Sequence, residues 1–373
     1  MSNTILDGLN KLNQSTQIDI MSKDICLGRI NIRNGEAFVF SKLPFGLILS
    51  ESEEFEDRLN NIEVFNHWCA ERFLTLDRKY AKELLNYHGL KQAVTDRDKA
   101  AIVVTLRGLS LNDCYWLKYS DEVVSWAEVN LFNNSLSNAL VGLSLAGDLT
   151  VSNGELSISD LTTPGVFPKA WIRKPDGFHL AKGNVDGSVE KELEAFRILS
   201  KFGFDVVQYL ETVWKSGEPI TTCKCFTNEQ VGFVTAENLH YTLLELDSDI
   251  NSFHKNYQVC YDMMVLADYL VGNSDRHQGN WGYLFWTDHG TIFGMPPLFD
   301  FNHAFEATTE SLCLPERFCG RRVTQLGAAV DAYKRLRVKD SVIDLNKKLD
   351  LSDFKYGQFV ELRIAMLLDR YTE

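Results

Sequence analysis

A chain of 373 residues with 45% apolar and 24% charged side chains can form two domains, or one large two-lobed one, and is too apolar to be disordered as a whole. Its 38 basic against 51 acidic residues leave a formal charge of -13, which argues against a broad nucleic-acid surface, because phosphate binding depends on clustered Lys and Arg. No stretch supplies the ~20 uninterrupted apolar residues of a membrane span, and MSNTILDGLNKLNQ lacks the layout of a secretory signal, so the expectation is a cytoplasmic protein with no membrane partner.

In chain order, RINIR, Asn34-Gly35 and EAFVF read as a β-hairpin, since Asn-Gly suits a turn with positive φ between alternating runs. From about residue 61 to 134 the pattern is helical: NIEVFNHWCAERFL, then DRKYAKELLNYHG, then TDRDKAAIVVTLRG with Thr95 or Asp96 as N-cap and Gly108 as stop. The Ser-, Thr-, Gly- and Pro-rich segment 148–170 marks a boundary near residue 150. Beyond it, AWIR, the turn Lys174-Pro175-Asp176-Gly177 and FHLAK form a second hairpin. VEKELEAFRILSKFG follows as an amphipathic helix stopped by Gly203, then DVVQYLETVW and ITTCKCFT as strands. NYQVCYDMMVLADYLV has the apolar density of a buried helix, WGYLFW and TIFG read as short strands, and helical patterns at 323–338 and 350–371 close the chain. The eight scattered cysteines include no CxxC pair and read as structural thiols rather than a zinc site or disulfide framework.

The stretch LVGNSDRHQGNWGYLFW is at odds with its surroundings. Asn273, Ser274, Asp275, Arg276, His277, Gln278 and Asn280 sit in an otherwise apolar run, where each polar group that is buried needs a partner. Asp300 lies twenty residues after Asn280, beyond a two-strand hairpin whose ends come together. Asp275 is then placed to accept a proton or orient a nucleophile, while Asn280 and Asp300 offer oxygen ligands of the kind Mg²⁺ takes. Such a set suits phosphoryl transfer, in which the protein positions reactants and neutralises charge. Lys182, ending the second hairpin, would supply a phosphate-binding cation, and Glu192 on the next helix would hold it extended, with Glu190 and Glu194 as competitors.

D-R-H-x-x-N at 275–280 followed by L-F-D-F at 298–301 resembles the catalytic and metal-binding segments of HipA-like serine/threonine kinases, which share that loop with phosphatidylinositol kinases. RGLSLNDCYWLKY, residues 107–119, looks like a segment preceding the kinase core in short, CtkA-type members, and the resemblance covers roughly residues 60 to 330. It implies an α+β, two-lobed protein-kinase-like core at 151–373, with an N-lobe at about 151–235 and a C-lobe at about 236–373. A small N-terminal sheet and helical region would occupy 1–150. It implies ATP and Mg²⁺ as cofactors, Asp275 as catalytic residue, Asn280 and Asp300 as metal ligands, and Lys182, with Glu192 behind it, at the nucleotide. The loop holding Thr162, Thr163 and Gly165 would move over the phosphates and, as in some members, carry autophosphorylation, the alternative being an ordinary Ser/Thr-rich linker. A protein substrate and a small antitoxin partner are implied as well, with no direct nucleic-acid contact. Two departures stand out: Asp300-Phe301 is followed by Asn302, a residue that tolerates left-handed backbone, where many kinases have glycine, and the phosphate loop offers only Gly165.

Blander readings stand beside these. His277 serves as a loop support or takes a direct catalytic part, and Arg276 pairs with a carboxylate. Trp281, Tyr283, Phe285 and Trp286 are packing residues, and Arg317, Arg321 and Arg322 are either a solvated loop or a phosphate site. The rival functions are a small-molecule or lipid kinase and a nucleotide-binding pseudokinase or interaction protein.

Overall fold

The computed structural model describes residues 16–72, 95–134, 169–214, 217–248, 250–318, 320–338, 343–346 and 349–372. The expected helix at 77–89, the expected boundary near 150 and the expected phosphate loop with Thr162, Thr163 and Gly165 lie outside the described residues. The chain divides into two units, each assembled from separate stretches: Met1–Gly183, Thr227–Phe233 and Trp286–Thr291 in the first, Asn184–Phe226, Val234–Phe285 and Ile292–Glu373 in the second.

In the first unit β1 (Gln17–Ser22), β2 (Ile25–Asn31), β3 (Ala37–Val39) and β4 (Tyr115–Tyr119) form an antiparallel sheet in the order β3-β2-β1-β4. The hairpin expected around Asn34-Gly35 is present as β2–β3, with Arg29 opposite Phe38 and Gly35 alone taking the left-handed conformation at φ 71°. Two of the four strands went unforeseen. β4 falls in the stretch read as helical because YWLKY is a nearly continuous apolar run without the alternation that marks a strand. Its Trp116, fully buried, anchors a cluster with Met21, Leu109, Leu111, Cys114, Trp126 and Leu131.

Helix α1 (Phe55–Glu71) begins ahead of the apolar pattern, and α2 (Asp96–Thr105) begins as expected at Thr95. There the Thr95 hydroxyl accepts from the Asp98 N–H while the Asp98 carboxylate accepts from the Thr95 N–H, a reciprocal cap. Arg72, partly buried beside Trp68, closes this region with a two-pronged bond to Asp113 at 2.8 and 2.9 Å. After the short helix α3 (Trp126–Val129), β5 (Lys169–Lys174) and β6 (Gly177–Gly183) form the second hairpin, in the register Lys169 opposite Lys182.

The second unit opens with α4 (Ser188–Phe202), ended by Gly203 in the left-handed conformation, followed by the β7 (Tyr209–Val213) and β8 (Pro219–Lys224) hairpin. After β9 (Val231–Thr235), whose first three residues are counted with the first unit, come α5 (Ala236–Glu245), α6 (Ile250–Asn256) and α7 (Gln258–Val271), then the hairpin of β10 (Gly282–Trp286) and β11 (Ile292–Gly294). Three helices close the chain: α8 (Leu314–Phe318), α9 (Gln325–Val338) and α10 (Gly357–Thr372). All but Met263 of the last eleven residues of α7 are buried, as an apolar helix surrounded by others must be, and Trp281, Tyr283 and Phe285 alternate inward at β10. No helix among the described residues is long and apolar enough to cross a membrane.

Candidate active site

Helix α7 delivers the polar loop. Gly272 caps it at φ 59°, a position where a Cβ would come within 2.7 Å of the Phe359 ring, and the Asn273 N–H turns back to the Asp268 carbonyl at 2.9 Å. The carbonyls left over at the helix end are met by a later segment: Phe305 N–H donates to Val271 O and Ala307 N–H to Gly272 O, while Ser274 N–H reaches His303 O. The loop and the residues after Asp300 are thereby knitted backbone to backbone.

Arg276 ties the knot tighter. It is 2% exposed, and its fork bonds Asp268 through Nε at 2.9 Å and Nη2 at 2.9 Å, while Nη1 donates to Asn280 O at 2.7 Å and Phe299 O at 2.5 Å. One guanidinium therefore holds both ends of the β10–β11 excursion, Asn280 on one side and the residue before Asp300 on the other, and it lies 4.9 Å over the Phe301 ring. Burial works against its charge, but Asp268 first and Asp300 after it hold the proton on more firmly than in water.

Within this clasp, Asp275 is half-buried, its carbonyl accepting from Asn280 Nδ2 at 2.9 Å, so that the Asn280 amide is fixed with Oδ1 as its acceptor end. Asp300 takes the left-handed backbone at φ 61° and donates its N–H to the Tyr209 hydroxyl at 2.9 Å. Asn302, noted for its tolerance of left-handed backbone, is not among the residues that adopt it; Asp300 does, two positions earlier, where the N–H bond to Tyr209 and the Leu298 bridge to Val206 hold the strained backbone in place. His277 is exposed and accepts from the Gly279 N–H through Nδ1 at 3.0 Å, with Nε2 4.0 Å from Asp275. That geometry stiffens the loop.

On α4 the three candidate glutamates part company. Lys355 bonds Glu190 twice at 2.7 Å and its N–H reaches Glu194 at 3.0 Å, whereas Glu192, 1% exposed, accepts from Thr221 of β8 at 2.8 Å. Lys182 lies buried near the end of β6, in the first unit. Lys191 pairs with Glu306 at 2.5 Å, and Glu306 also accepts from Ser274 and His303. Arg321, offered as a phosphate-site candidate, is taken up by Glu316 and Asp331.

Sequence reasoning foresaw a carboxylate partner for Arg276 without identifying it, and it missed Tyr209, Thr221 and Glu306 altogether. Asp268 had a readable signal: an Asp deep inside DMMVLADYLV must have a cation nearby. Hydroxyls on distant strands leave no such mark.

No family model matches the chain. The serine/threonine-protein kinase CtkA of Helicobacter pylori is 27% identical over 180 residues, 44% of this chain and 53% of that kinase, so the chain spans about half the length of this curated relative. A chain from the structure of the Shewanella oneidensis MR-1 toxin–antitoxin system of HipA, HipB and operator DNA matches with TM-score 0.52 at 12% identity, over 95% of this chain and 96% of that one. The crystal structure of the proinflammatory kinase CtkA of Helicobacter pylori is a looser likeness, with TM-score 0.38 at 17% identity over 54% of this chain and 90% of that one. The chain thus has a mixed helix-and-sheet fold like that of HipA, and its sequence is distantly similar to a serine/threonine-protein kinase.

Proposed function

We propose that this protein is an ATP- and Mg²⁺-dependent serine/threonine protein kinase of HipA-like type. The observation that carries the reading is the Arg276 clasp, which gathers Asp275, Asn280 and the Asp300 segment on one side of the fold although 25 positions separate the first from the last.

The donor set fits the metal. A carboxylate at Asp300 and an amide oxygen at Asn280 are hard oxygen ligands, and Mg²⁺ binds through one or two such groups together with substrate phosphates and water. Among the described residues no cluster of three His, Cys, Asp or Glu side chains competes as a softer or fuller metal cage. The buried Asn302 Oδ1, which accepts no hydrogen bond from the described residues, leaves one further acceptor on the same segment. When bound, the metal neutralises charge on the phosphates. Asp275 orients the substrate hydroxyl and takes its proton as the phosphoryl group moves across, and the His277–Gly279 bond keeps the loop from collapsing onto it. Lys182 grips the α- and β-phosphates. Glu192 is carried forward in this reading as its helix partner on the resemblance to HipA-like kinases alone.

Thr162 and Thr163, with Gly165, would form the segment over the phosphates and carry autophosphorylation. By analogy with the HipA–HipB system, a small antitoxin is the proposed partner and a cellular protein the substrate, in the cytoplasm. The test is incubation of wild type, Asp275→Asn and Asp300→Asn with radiolabelled ATP, Mg²⁺ and a cell lysate, beside calorimetry of ATP with and without EDTA. Asp275→Asn should lose transfer and keep nucleotide binding, while Asp300→Asn should lose Mg²⁺-dependent binding itself. Label on lipid or a small molecule, label on nothing, or equal transfer by wild type and Asp275→Asn would each overturn the reading.

A further inference from the structure

A buried cation with no carboxylate bonded to it among the described residues lies behind the loop. Arg363 of α10 is 3% exposed, and its bonds go to neutral groups: Tyr269 O at 2.5 Å, Ala307 O at 2.9 Å and Gln325 Oε1 at 2.8 Å. Its guanidinium also lies 4.4 Å over the Tyr269 ring. Burial pulls its pKa down to about 10, which still leaves it charged at neutral pH. The carbonyl end of α7, where Tyr269 sits two residues before the last helical position, offsets part of the charge through the helix dipole. For stability alone the arrangement is a poor choice, because well-packed apolar residues commonly serve a buried site as well as or better than ions do.

The hydrogen bonds run onward from Arg363 in one direction. Gln325, fixed at the start of α9 by its own N–H to Ser311 O, accepts from Arg363 and donates through Nε2 to Asn273 O at 2.6 Å. Asn273 in turn donates to Asp268 at 2.9 Å and accepts the Asp275 N–H at 3.3 Å. Every side chain in that relay is buried, and its last bond is made by the backbone of Asp275.

We infer that Arg363, acting through Gln325 and Asn273, is a positioning residue that sets the conformation of the Asp275 loop from the C-terminal helix, an inference that rests on the reading of Asp275 as the phosphoryl-transfer residue. The relay works because each amide has one acceptor and one donor end: Arg363 fixes which end of Gln325 faces which way, and only one orientation offers Asn273 O a proton.

The test is Q325E. The introduced carboxylate keeps a partner for Arg363, and so keeps α10 tied down, but turns an oxygen instead of an N–H toward Asn273 O. The urea midpoint is expected at or above that of wild type. Amide exchange across residues 273–280 is expected to rise about 10-fold, and kcat to fall by about 10-fold with KM for ATP unchanged. A merely structural role would leave exchange and kcat at wild-type values once stability is preserved, and that result overturns the inference. R363M is the second variant: it should fold, fill the same space and show the same loss of kcat, and wild-type kcat in it overturns the role of the cation. Should wild type transfer no phosphate to any acceptor, the kinase reading fails, while the exchange rates of Q325E still decide whether Arg363 and Gln325 hold the loop.

Discussion

Replacing Arg276 by lysine separates two roles that its structure combines, charge partner and geometric clasp. Lysine keeps the positive charge beside Asp268, so if neutralising that carboxylate is all that matters, the variant should lie within about 1 kcal/mol of wild type. The guanidinium, however, also donates to Asn280 O at 2.7 Å and Phe299 O at 2.5 Å, on the side away from Asp268. A compact ammonium cannot reach the carboxylate and both carbonyls at once. Two charge-assisted bonds are lost, at about 1.5–3 kcal/mol each, and some of that returns as water enters, which leaves a net cost of about 3–5 kcal/mol. With a urea slope of about 1–3 kcal/mol per molar, the unfolding midpoint should drop by roughly 2 M. Equilibrium urea denaturation followed by tryptophan fluorescence reads this directly, since Trp281 is next to the clasp in sequence and buried. Phosphoryl transfer measured on the fraction still folded should also fall, because the Asn280 and Asp300 segments are no longer held to a common point. A midpoint within about 0.5 M of wild type would refute the clasp and reduce Arg276 to a counter-ion.

Three further outcomes are expected. His240, buried with Nε2 2.6 Å from His254 Nε2 and with Tyr261, Tyr283 and Trp281 around the pair, has its pKa pushed down to about 4, by burial first and by the charge of His254 second. A depressed histidine adds stability above its unfolded pKa near 6.5 and loses it as pH falls toward 4, so stability should drop by about 2 kcal/mol between pH 7.5 and pH 5; urea midpoints at the two pH values should show this drop in wild type and a flatter response in His240→Gln, and equal responses would remove the histidine from the account. Gly282→Ala should lose more than about 4 kcal/mol or fail to fold, because the new Cβ would stand 2.0 Å from Val234 O, and a wild-type thermal midpoint would contradict the backbone approach. Glu192→Gln keeps the bond from Thr221 and the shape of the side chain but removes the charge, so affinity for ATP measured by calorimetry should fall about 10-fold; unchanged affinity would take Glu192 out of the nucleotide site.

Much of the frame could be read directly from the sequence where local chemistry decides it. Gly203, Thr95 and the Lys174–Gly177 turn each mark an element boundary because one residue's backbone or hydroxyl settles the matter, and the structure places all three as expected. The polar loop announced itself by being too costly to bury without partners. Its partners did not. Gln325 and Arg363 lie 50 and 88 positions beyond Asp275, single polar residues on amphipathic helices, where they look like part of a solvated face until the packing is known. The strand β4 was missed for a related reason, since its pairing with β1 joins residues about 100 positions apart, such as Ile18 with Tyr119; β1 turns tightly into β2 through Lys23-Asp24, a pair that lacks the glycine that flagged Asn34-Gly35. Helical spacing sets Glu190 and Glu194 on one face of α4 and Glu192 on another, but it does not say what each face meets: Lys355, far along the chain, takes the first two and Thr221 the third.

The first unit is not a stretch of chain that can be cut out. Its hydrogen bonds include Thr227 to Leu111 O, Trp126 to Glu229, Thr287 to Glu229 O and Lys23 to Asp288, which use residues encoded after one or two of the second unit's three stretches. A ribosome making this protein must release 288 residues before the last of these partners is available, so the unit that comes first in sequence cannot be the first to finish folding. A fragment ending at Gly183 would leave Trp126 Nε1 and the Leu111 carbonyl without their acceptor and donor, and would expose apolar surface that invites association. Anyone dividing the protein for expression should therefore cut in loops outside both insertions, or not divide it.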